Sequence, residues 1–192
     1  MLDVVATSLE MTSLADLRPG REAPEPIELE TTSPSAPQLV RATYVRIWKP
    51  LAFSGRMEWS DTGWTQELSR PGVEAWLAHV GDEIAGLVEL EADPDGTVGI
   101  VVFGLVPEFI GRGFGGPFLT VVTRLAWAMP APTGVRRVWL QTYSSDHPHA
   151  ITNYIARGFR VFQSQTKRVG GESASGDISE LPRTRASSPT VQ

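Results

Sequence analysis

The sequence contains no cysteine among its 192 residues. This absence excludes disulfides, thiolate metal sites and a cysteine nucleophile, and it suits a reducing compartment. Only three histidines are present, without the spacing that a zinc site needs, so we expect no metal. No apolar run approaches the roughly 20 residues of a membrane helix. The first residues lack the basic segment of a signal peptide, so we expect a soluble cytoplasmic protein.

The sequence also lacks an excess of basic residues. Its formal net charge is −5, whereas nucleic-acid-binding domains are usually basic. We therefore expect neither a nucleic-acid partner nor a membrane partner. The length and the hydrophobic content of 41% are those of one globular domain with a proper core.

Composition divides the chain into three parts. Residues 1–26 are predicted to form a short strand and a loop packed on the domain, and residues 27–168 to form the domain itself. Residues 169–192 are rich in Gly, Ser, Thr and Pro without an apolar period, and they are predicted to be a disordered tail.

Apolar periodicity predicts an α+β fold. Two strands, VVATSLEM and IELETT, precede two helices, PQLVRATYVRIW and DTGWTQELSR. Three runs joined by tight turns predict hairpin strands, namely VEAWLAHV, EIAGLVELE and TVGIVVFGLV. A helix after a glycine-rich stretch is followed by strand RRVWLQTY, helix HAITNYIARG and strand FRVFQSQTK. The predicted order is therefore β-β-α-α-β-β-β-α-β-α-β.

The stretch GRGFGG, residues 111–116, has the spacing Gly-x-Gly-x-x-Gly of a dinucleotide site. Such a site also needs an acidic residue about 20 positions further on, and no Asp or Glu lies between Phe109 and Ser145. We therefore reject an oxidoreductase. Glycine amides at the start of a helix still predict an anion site, to which Arg112 adds a positive charge. A plain strand-to-helix turn is the alternative.

This stretch, read as LVPEFIGRGFGG before an amphipathic helix, resembles the acyl-CoA pyrophosphate loop of the GCN5-related N-acetyltransferase (GNAT) superfamily. The pattern of that loop is Gln/Arg-x-x-Gly-x-Gly/Ala. Gly113 and Gly115 match its two small positions, and Ile110 stands where Gln or Arg is usual.

The segment HAITNYIARGF carries a second resemblance to the same superfamily, because an Ala precedes a Tyr by four residues and Gly-Phe closes the helix. The Asp-His-Pro at residues 146–148 resembles a bacterial subgroup of the superfamily. Together the resemblance covers roughly residues 27–166.

The resemblance implies an acyl-CoA N-acyltransferase fold, with a mixed, mostly antiparallel central sheet flanked by helices. It implies acetyl-CoA-dependent N-acetyltransferase activity, with direct transfer of the acetyl group through a tetrahedral intermediate. The acceptor would be a primary amine of a small molecule or peptide. Homodimers are common among such relatives.

For the donor, the resemblance implies a binding set in the glycine loop, the strand before it and the last helix. The set is Leu105, Val106, Gly111, Arg112, Gly113, Phe114, Gly115, Gly116 and Asn153. Leu105 and Val106 would pair with pantetheine like an added strand. Gly104 stands where such a strand commonly bulges.

Three residues are candidates for the chemistry. Tyr154 is the expected general acid, because a hydroxyl with an ordinary pKa of about 10 can protonate a leaving thiolate. A core tyrosine is its alternative. Glu89 is a candidate base in an otherwise apolar strand, with a solvated face as its alternative. His147 is a second candidate base, with a role at the helix start as its alternative.

One departure from the subgroup leaves a second function open. The subgroup often carries another acid on the strand after Glu89, at the position of Gly99. Without it, the chain could be a catalytically degenerate acyl-CoA-binding sensor or partner module. Four tryptophans in the first half could line the acceptor side or belong to the core; they are Trp48, Trp59, Trp64 and Trp76.

Overall fold

The computed structural model describes residues 2–51 and 55–169. Apart from Val169, which ends the last strand, the predicted disordered tail lies outside the described residues. Within the described ranges, no helix is both long and apolar enough to cross a membrane.

The described residues form seven strands and four α-helices. The strands are β1 Leu2–Met11, β2 Glu28–Thr31, β3 Val73–Val80, β4 Glu83–Ala92, β5 Thr97–Leu105, β6 Arg137–Tyr143 and β7 Arg160–Val169. The helices are α1 Gln38–Trp48, α2 Asp61–Leu68, α3 Gly115–Trp127 and α4 Ala150–Ala156. The predicted order of strands and helices is confirmed.

The strands form one sheet in the order β2-β3-β4-β5-β6-β1-β7. Every pair is antiparallel except β5 with β6, which is parallel. The predicted mixed, mostly antiparallel sheet is therefore confirmed. Strand β1 lies between β6 and β7, so the amino-terminal segment supplies an inner strand.

Helices cover both faces of the sheet. The core on one face contains residues of α3 and α4, including Phe118 and Tyr154. The core on the other face contains residues of α1 and α2, including Tyr44 and Trp64. Because both faces are buried, β4 and β5 read as nearly continuous apolar runs rather than as alternating ones.

The sheet opens between its two parallel strands. Strands β5 and β6 pair only from Thr97 to Ile100 of β5, whereas β5 keeps β4 as its partner as far as Leu105. A register shift leaves Val101 as an extra residue of β5, which is a β-bulge and bends the strand. The bulge lies at Val101 and not at the predicted Gly104. A Cβ on Gly104 would come 2.6 Å from Ile47 Cγ2. The absence of a side chain at Gly104 therefore allows α1 to pack closely on β5.

Candidate active site

A cavity of about 940 Å³ occupies the gap between β5 and β6. Its walls are formed by α1, the bulged half of β5, the glycine loop, β6 from Trp139 onward, and α4 with the segment before it. This volume lies in the range of small-molecule sites, which is about 300–1,000 Å³. The separation of the strands thus creates the site.

Strand β5 presents a free backbone edge to the cavity. The Val106 amide donates to the Ala85 carbonyl over 2.9 Å, so it is turned toward β4 and not toward the cavity. Backbone groups alternate in direction along an antiparallel strand, so the N–H and C=O of Leu105 point toward the gap. The expected pairing edge exists at Leu105. The contribution expected from the Val106 amide is not present.

The loop after β5 leaves its amides open. Gly111 and Gly113 have φ values of 77° and 90°, which other residues rarely adopt. Helix α3 begins at Gly115 without a side-chain cap. Within the described residues, the amides of Gly113, Gly115 and Gly116 donate to no acceptor. All four glycines line the cavity, and the binding of an anion by their amides stays a prediction.

The side chains between these glycines lie outside the cavity lining. Phe114 is 1% exposed and belongs to the core. The Arg112 guanidinium lies 4.8 Å from the centre of the Phe109 ring and 3.9 Å from Glu25. The expected positive charge of Arg112 therefore lies against Phe109 and outside the cavity lining.

Asn153 connects α4 to the loop. Its Nδ2 donates to the Gly115 carbonyl over 3.1 Å, and its Oδ1 accepts from Arg157 Nη1 over 3.4 Å. A Cβ on Gly116 would come 2.5 Å from the same Arg157 nitrogen. Arg157, which the sequence did not single out, thus brings a cation to the first turn of α3.

The segment between β1 and β2 covers the loop from outside. The Gly20 amide donates to Thr120 Oγ1 over 2.8 Å, and a Cβ on Gly20 would come 2.6 Å from the Gly116 carbonyl carbon. Pro24 Cγ lies 3.5 Å from the position that a Cβ on Gly113 would take. The amino-terminal segment therefore supports the loop. The apolar periodicity of the sequence could not predict this contact, because it connects two loops.

Tyr154 lines the cavity from α4. Its side chain is 8% exposed, and its ring packs between Phe103 and Phe159. No group in the described part of the chain hydrogen-bonds to its hydroxyl. Burial, followed by the charge of Asp146, raises the pKa of Tyr154. The residue is thus both a core tyrosine and a protonated hydroxyl at the cavity.

His147 lies in the cavity lining just before α4. Its Nδ1 accepts the amide hydrogen of His149 over 3.3 Å. The structure thus places the His147 ring in the cavity lining, and its role as a base stays a prediction.

Glu89 is absent from the cavity lining. Its two carboxylate oxygens accept from Arg56 Nη1 over 2.9 and 2.8 Å, and the residue is 1% exposed. Burial raises the pKa of Glu89, and the charge of Arg56 opposes that rise. Neither the predicted base nor the solvated face describes this residue, because it forms a buried ion pair.

We expect Glu89→Gln to lower the free energy of unfolding by about 3 kcal/mol, because the buried charge of Arg56 loses its partner. Urea denaturation measures the change. The matched control is Glu91→Gln, which breaks a more exposed pair with Arg70 and should cost less than about 1 kcal/mol. Equal losses in the two variants would contradict a buried ion pair at Glu89.

The space beside Gly99, where the subgroup often carries an acid, is filled by the indole of Trp139. A Cβ on Gly99 would lie 3.2 Å from Trp139 Nε1, and Trp139 lines the cavity. Of the four tryptophans predicted for either the acceptor side or the core, Trp48 lines the cavity, whereas Trp64 and Trp76 are buried in the core. Trp59 packs on Arg56 at 5.1 Å.

Asp146, which the sequence singled out only as part of the Asp-His-Pro segment, is a further candidate. Its Oδ2 accepts from Thr142 Oγ1 over 2.6 Å and from the Tyr143 amide over 2.8 Å. It lines the cavity, and burial raises its pKa. The sequence signal that could have found it is its separation from other acids, since it is the first acid after Glu108.

Among the described residues, no group of His, Asp and Glu could hold a metal.

The sequence model of the Acetyltransferase (GNAT) family matches residues 40–159. A GCN5-related N-acetyltransferase from Sphaerobacter thermophilus is 18% identical with a TM-score of 0.61, over 86% of this chain and 51% of that one. An acetyltransferase from Thermus thermophilus is 18% identical with a TM-score of 0.55, over 74% of this chain and 97% of that one.

A functionally unknown conserved protein from Staphylococcus epidermidis is 19% identical with a TM-score of 0.56, over 86% of this chain and 60% of that one. The chain thus spans 51–60% of the length of the proteins from Sphaerobacter thermophilus and Staphylococcus epidermidis. At such identities, the likeness to solved structures shows the fold alone. No curated protein matches the chain.

Proposed function

Because the chain belongs to the GNAT family of acetyltransferases, we propose that it transfers an acetyl group from acetyl-CoA to a primary amine of a small molecule or peptide. The observation that carries this proposal is the junction of two open backbone surfaces. The free backbone edge of β5 at Leu105 and the unpaired amides of Gly113, Gly115 and Gly116 line the same cavity.

These surfaces fit the two halves of a coenzyme A thioester. The glycine amides would hold its pyrophosphate, since a helix start with free N–H groups favours anions. The Leu105 backbone would pair with its pantetheine. When bound, acetyl-CoA supplies the activated acetyl group.

The residues of this chain then manage the protons. The neutral amine attacks the thioester carbonyl, forms the C–N bond and passes through a tetrahedral intermediate. The C–S bond breaks as the intermediate collapses. Tyr154 would donate its hydroxyl proton to the departing sulfur, as a positioned general acid. The nitrogen would lose one proton to His147 in the same cavity lining, directly or through water. Exchange with solvent would then restore the proton of Tyr154.

The first test is thermal unfolding with acetyl-CoA, coenzyme A and NAD, each added separately. A ligand of the folded state at 100 times its dissociation constant adds about 2.7 kcal/mol, so we expect an upward shift of Tm with both CoA species and none with NAD. Release of free thiol with an amine panel then measures transfer. Binding without thiol release from any amine would overturn the enzymatic proposal in favour of a sensor or partner module.

We also propose a subgroup, a cellular location and an oligomeric state for the protein. The segment Asp146–Pro148 supports the bacterial Asp-His-Pro subgroup, and the absence of cysteine supports a cytoplasmic location. The net charge of −5 supports the absence of a nucleic-acid partner. The resemblance to a superfamily in which homodimers are common supports a homodimer, and sedimentation of the purified chain tests it.

A further inference from the structure

In the part of the cavity beyond the glycine loop, α1 and β6 contribute aromatic, aliphatic and neutral polar side chains. Helix α1 and the turn after it contribute Tyr44, Ile47, Trp48, Pro50 and Leu51, and β6 contributes Trp139, Gln141 and Tyr143. The rings of Tyr44 and Trp48 stack at 4.4 Å, which makes α1 a stiff aromatic wall. Among the described residues, the lining contains no Lys or Arg.

Asp146 is the one carboxylate in this lining, as far as the chain is described. Thr142 and Tyr143 hold its Oδ2 in place, and no donor in the described residues reaches Oδ1. No Lys or Arg of the described chain forms an ion pair with it. Its negative charge acts on residues of both α1 and α4. After burial, it is a further cause that raises the pKa of Tyr44 on α1 and of Tyr154 on α4.

A fixed carboxylate without a counter-ion in an apolar cavity selects its ligand by charge. It attracts a cation and repels an anion, and both effects are stronger away from water. Aromatic rings beside it add favourable contacts to a cation and to an apolar body. A carboxylate on the ligand would be repelled by Asp146 and would find no Lys or Arg among the described residues of this lining.

We propose that the acceptor is a primary amine on an aromatic or other apolar body that carries no carboxylate, with its ammonium group bound by Asp146. This inference rests on the proposed acetyl transfer and adds the class of the acceptor. Asp146 is thereby a specificity-determining residue, which binds the amine in the cavity before transfer.

Three matched acceptors test the inference on the unmodified protein. Phenethylamine, phenylalanine amide and phenylalanine share a ring and a primary amine, and only phenylalanine carries a carboxylate. We expect kcat/KM to be at least tenfold higher for the first two than for phenylalanine. Equal use of all three, or a preference for phenylalanine, would overturn the inference.

Asp146→Asn tests the residue, because it removes the charge and keeps an acceptor oxygen for Thr142 and Tyr143. We expect KM for phenethylamine to rise about tenfold or more and the discrimination against phenylalanine to shrink, with the dissociation constant of acetyl-CoA unchanged. Thr142→Val is the control, since it removes one hydrogen bond to Asp146 and should retain the discrimination. Unchanged discrimination in Asp146→Asn would overturn the role of the carboxylate.

Failure of the inference and failure of the proposed function give different results. Thiol release with a preference for carboxylate-bearing amines overturns the inference and leaves acetyl transfer standing. Tight binding of acetyl-CoA without thiol release from any amine overturns both. The dissociation constant of acetyl-CoA, measured by calorimetry, separates these cases from a protein that binds no CoA.

Discussion

Gly115→Glu should weaken acetyl-CoA binding on the order of 100-fold, which corresponds to about 2.7 kcal/mol, and should leave the folded protein at least as stable. Gly115 is the first residue of α3, and a Cβ there meets only Asn153 Nδ2 at 3.8 Å. The side chain can therefore be accommodated without displacing the backbone, and a helix tolerates Glu better than Gly.

The two effects of this substitution have opposite signs for one physical reason. A helix start is positively polarised, so a carboxylate in the first turn stabilises the folded state. The same carboxylate takes the place proposed for the pyrophosphate and repels it. Isothermal titration with acetyl-CoA measures the binding, and thermal unfolding without ligand measures the stability.

Gly63→Glu is the matched control. Gly63 also lies in the first turn of a helix, α2, and Ser60 caps that helix through the Gly63 amide at 3.2 Å. Glutamate three residues after a capping serine completes a capping box. This variant should keep or gain stability and bind acetyl-CoA like the unmodified protein. If Gly115→Glu binds equally well, the glycine loop does not hold the phosphates.

The fold could be predicted because its signals are local. Strands β3, β4 and β5 are short apolar runs separated by turn residues at 81–82 and 93–96, and each helix has its own apolar stripe. The glycine loop was predictable for a related reason. Its conformation depends on positive φ values that favour glycine, as at Gly113, so the residue type itself predicts it.

The side chains of the site were less predictable, because their roles depend on partners far away in sequence. The apolar strand around Glu89 predicts a base, but its partner Arg56 lies 33 residues earlier, and only the fold brings the two together. The position of Arg112 in the glycine loop predicts a phosphate ligand, but its side chain stacks on Phe109. Asp146 had no predicted role of its own, because the cavity that it lines exists only where β5 separates from β6.

Tyr154→Phe should lower kcat for acetyl transfer about 100-fold, since general acid catalysis contributes about 10²–10⁴-fold. The hydroxyl has no hydrogen-bond partner in the described chain, so the free energy of unfolding and the dissociation constant of acetyl-CoA should both stay nearly unchanged. Steady-state kinetics with phenethylamine, together with calorimetry, measures the two effects separately.

Tyr44→Phe supplies the contrast. Tyr44 also lines the cavity, but its hydroxyl accepts the Arg56 amide hydrogen over 3.3 Å. Its removal should cost about 1 kcal/mol of stability and have a much smaller effect on kcat. Similar kcat values for Tyr154→Phe and the unmodified protein would remove Tyr154 from the chemistry and leave it as a core residue.

The pH dependence of kcat gives an independent check on the same residue. An exposed tyrosine would lose its proton near pH 10, and a general acid that titrated there would lose activity as the pH rose. In this protein, burial and the negative charge of Asp146 both disfavour the phenolate and raise the pKa of Tyr154 above 10. The kcat of the unmodified protein should therefore show no decline from this group up to pH 10. A decline centred below pH 10 that is absent from Tyr154→Phe would mean that the hydroxyl is hydrated and ionises like an exposed one.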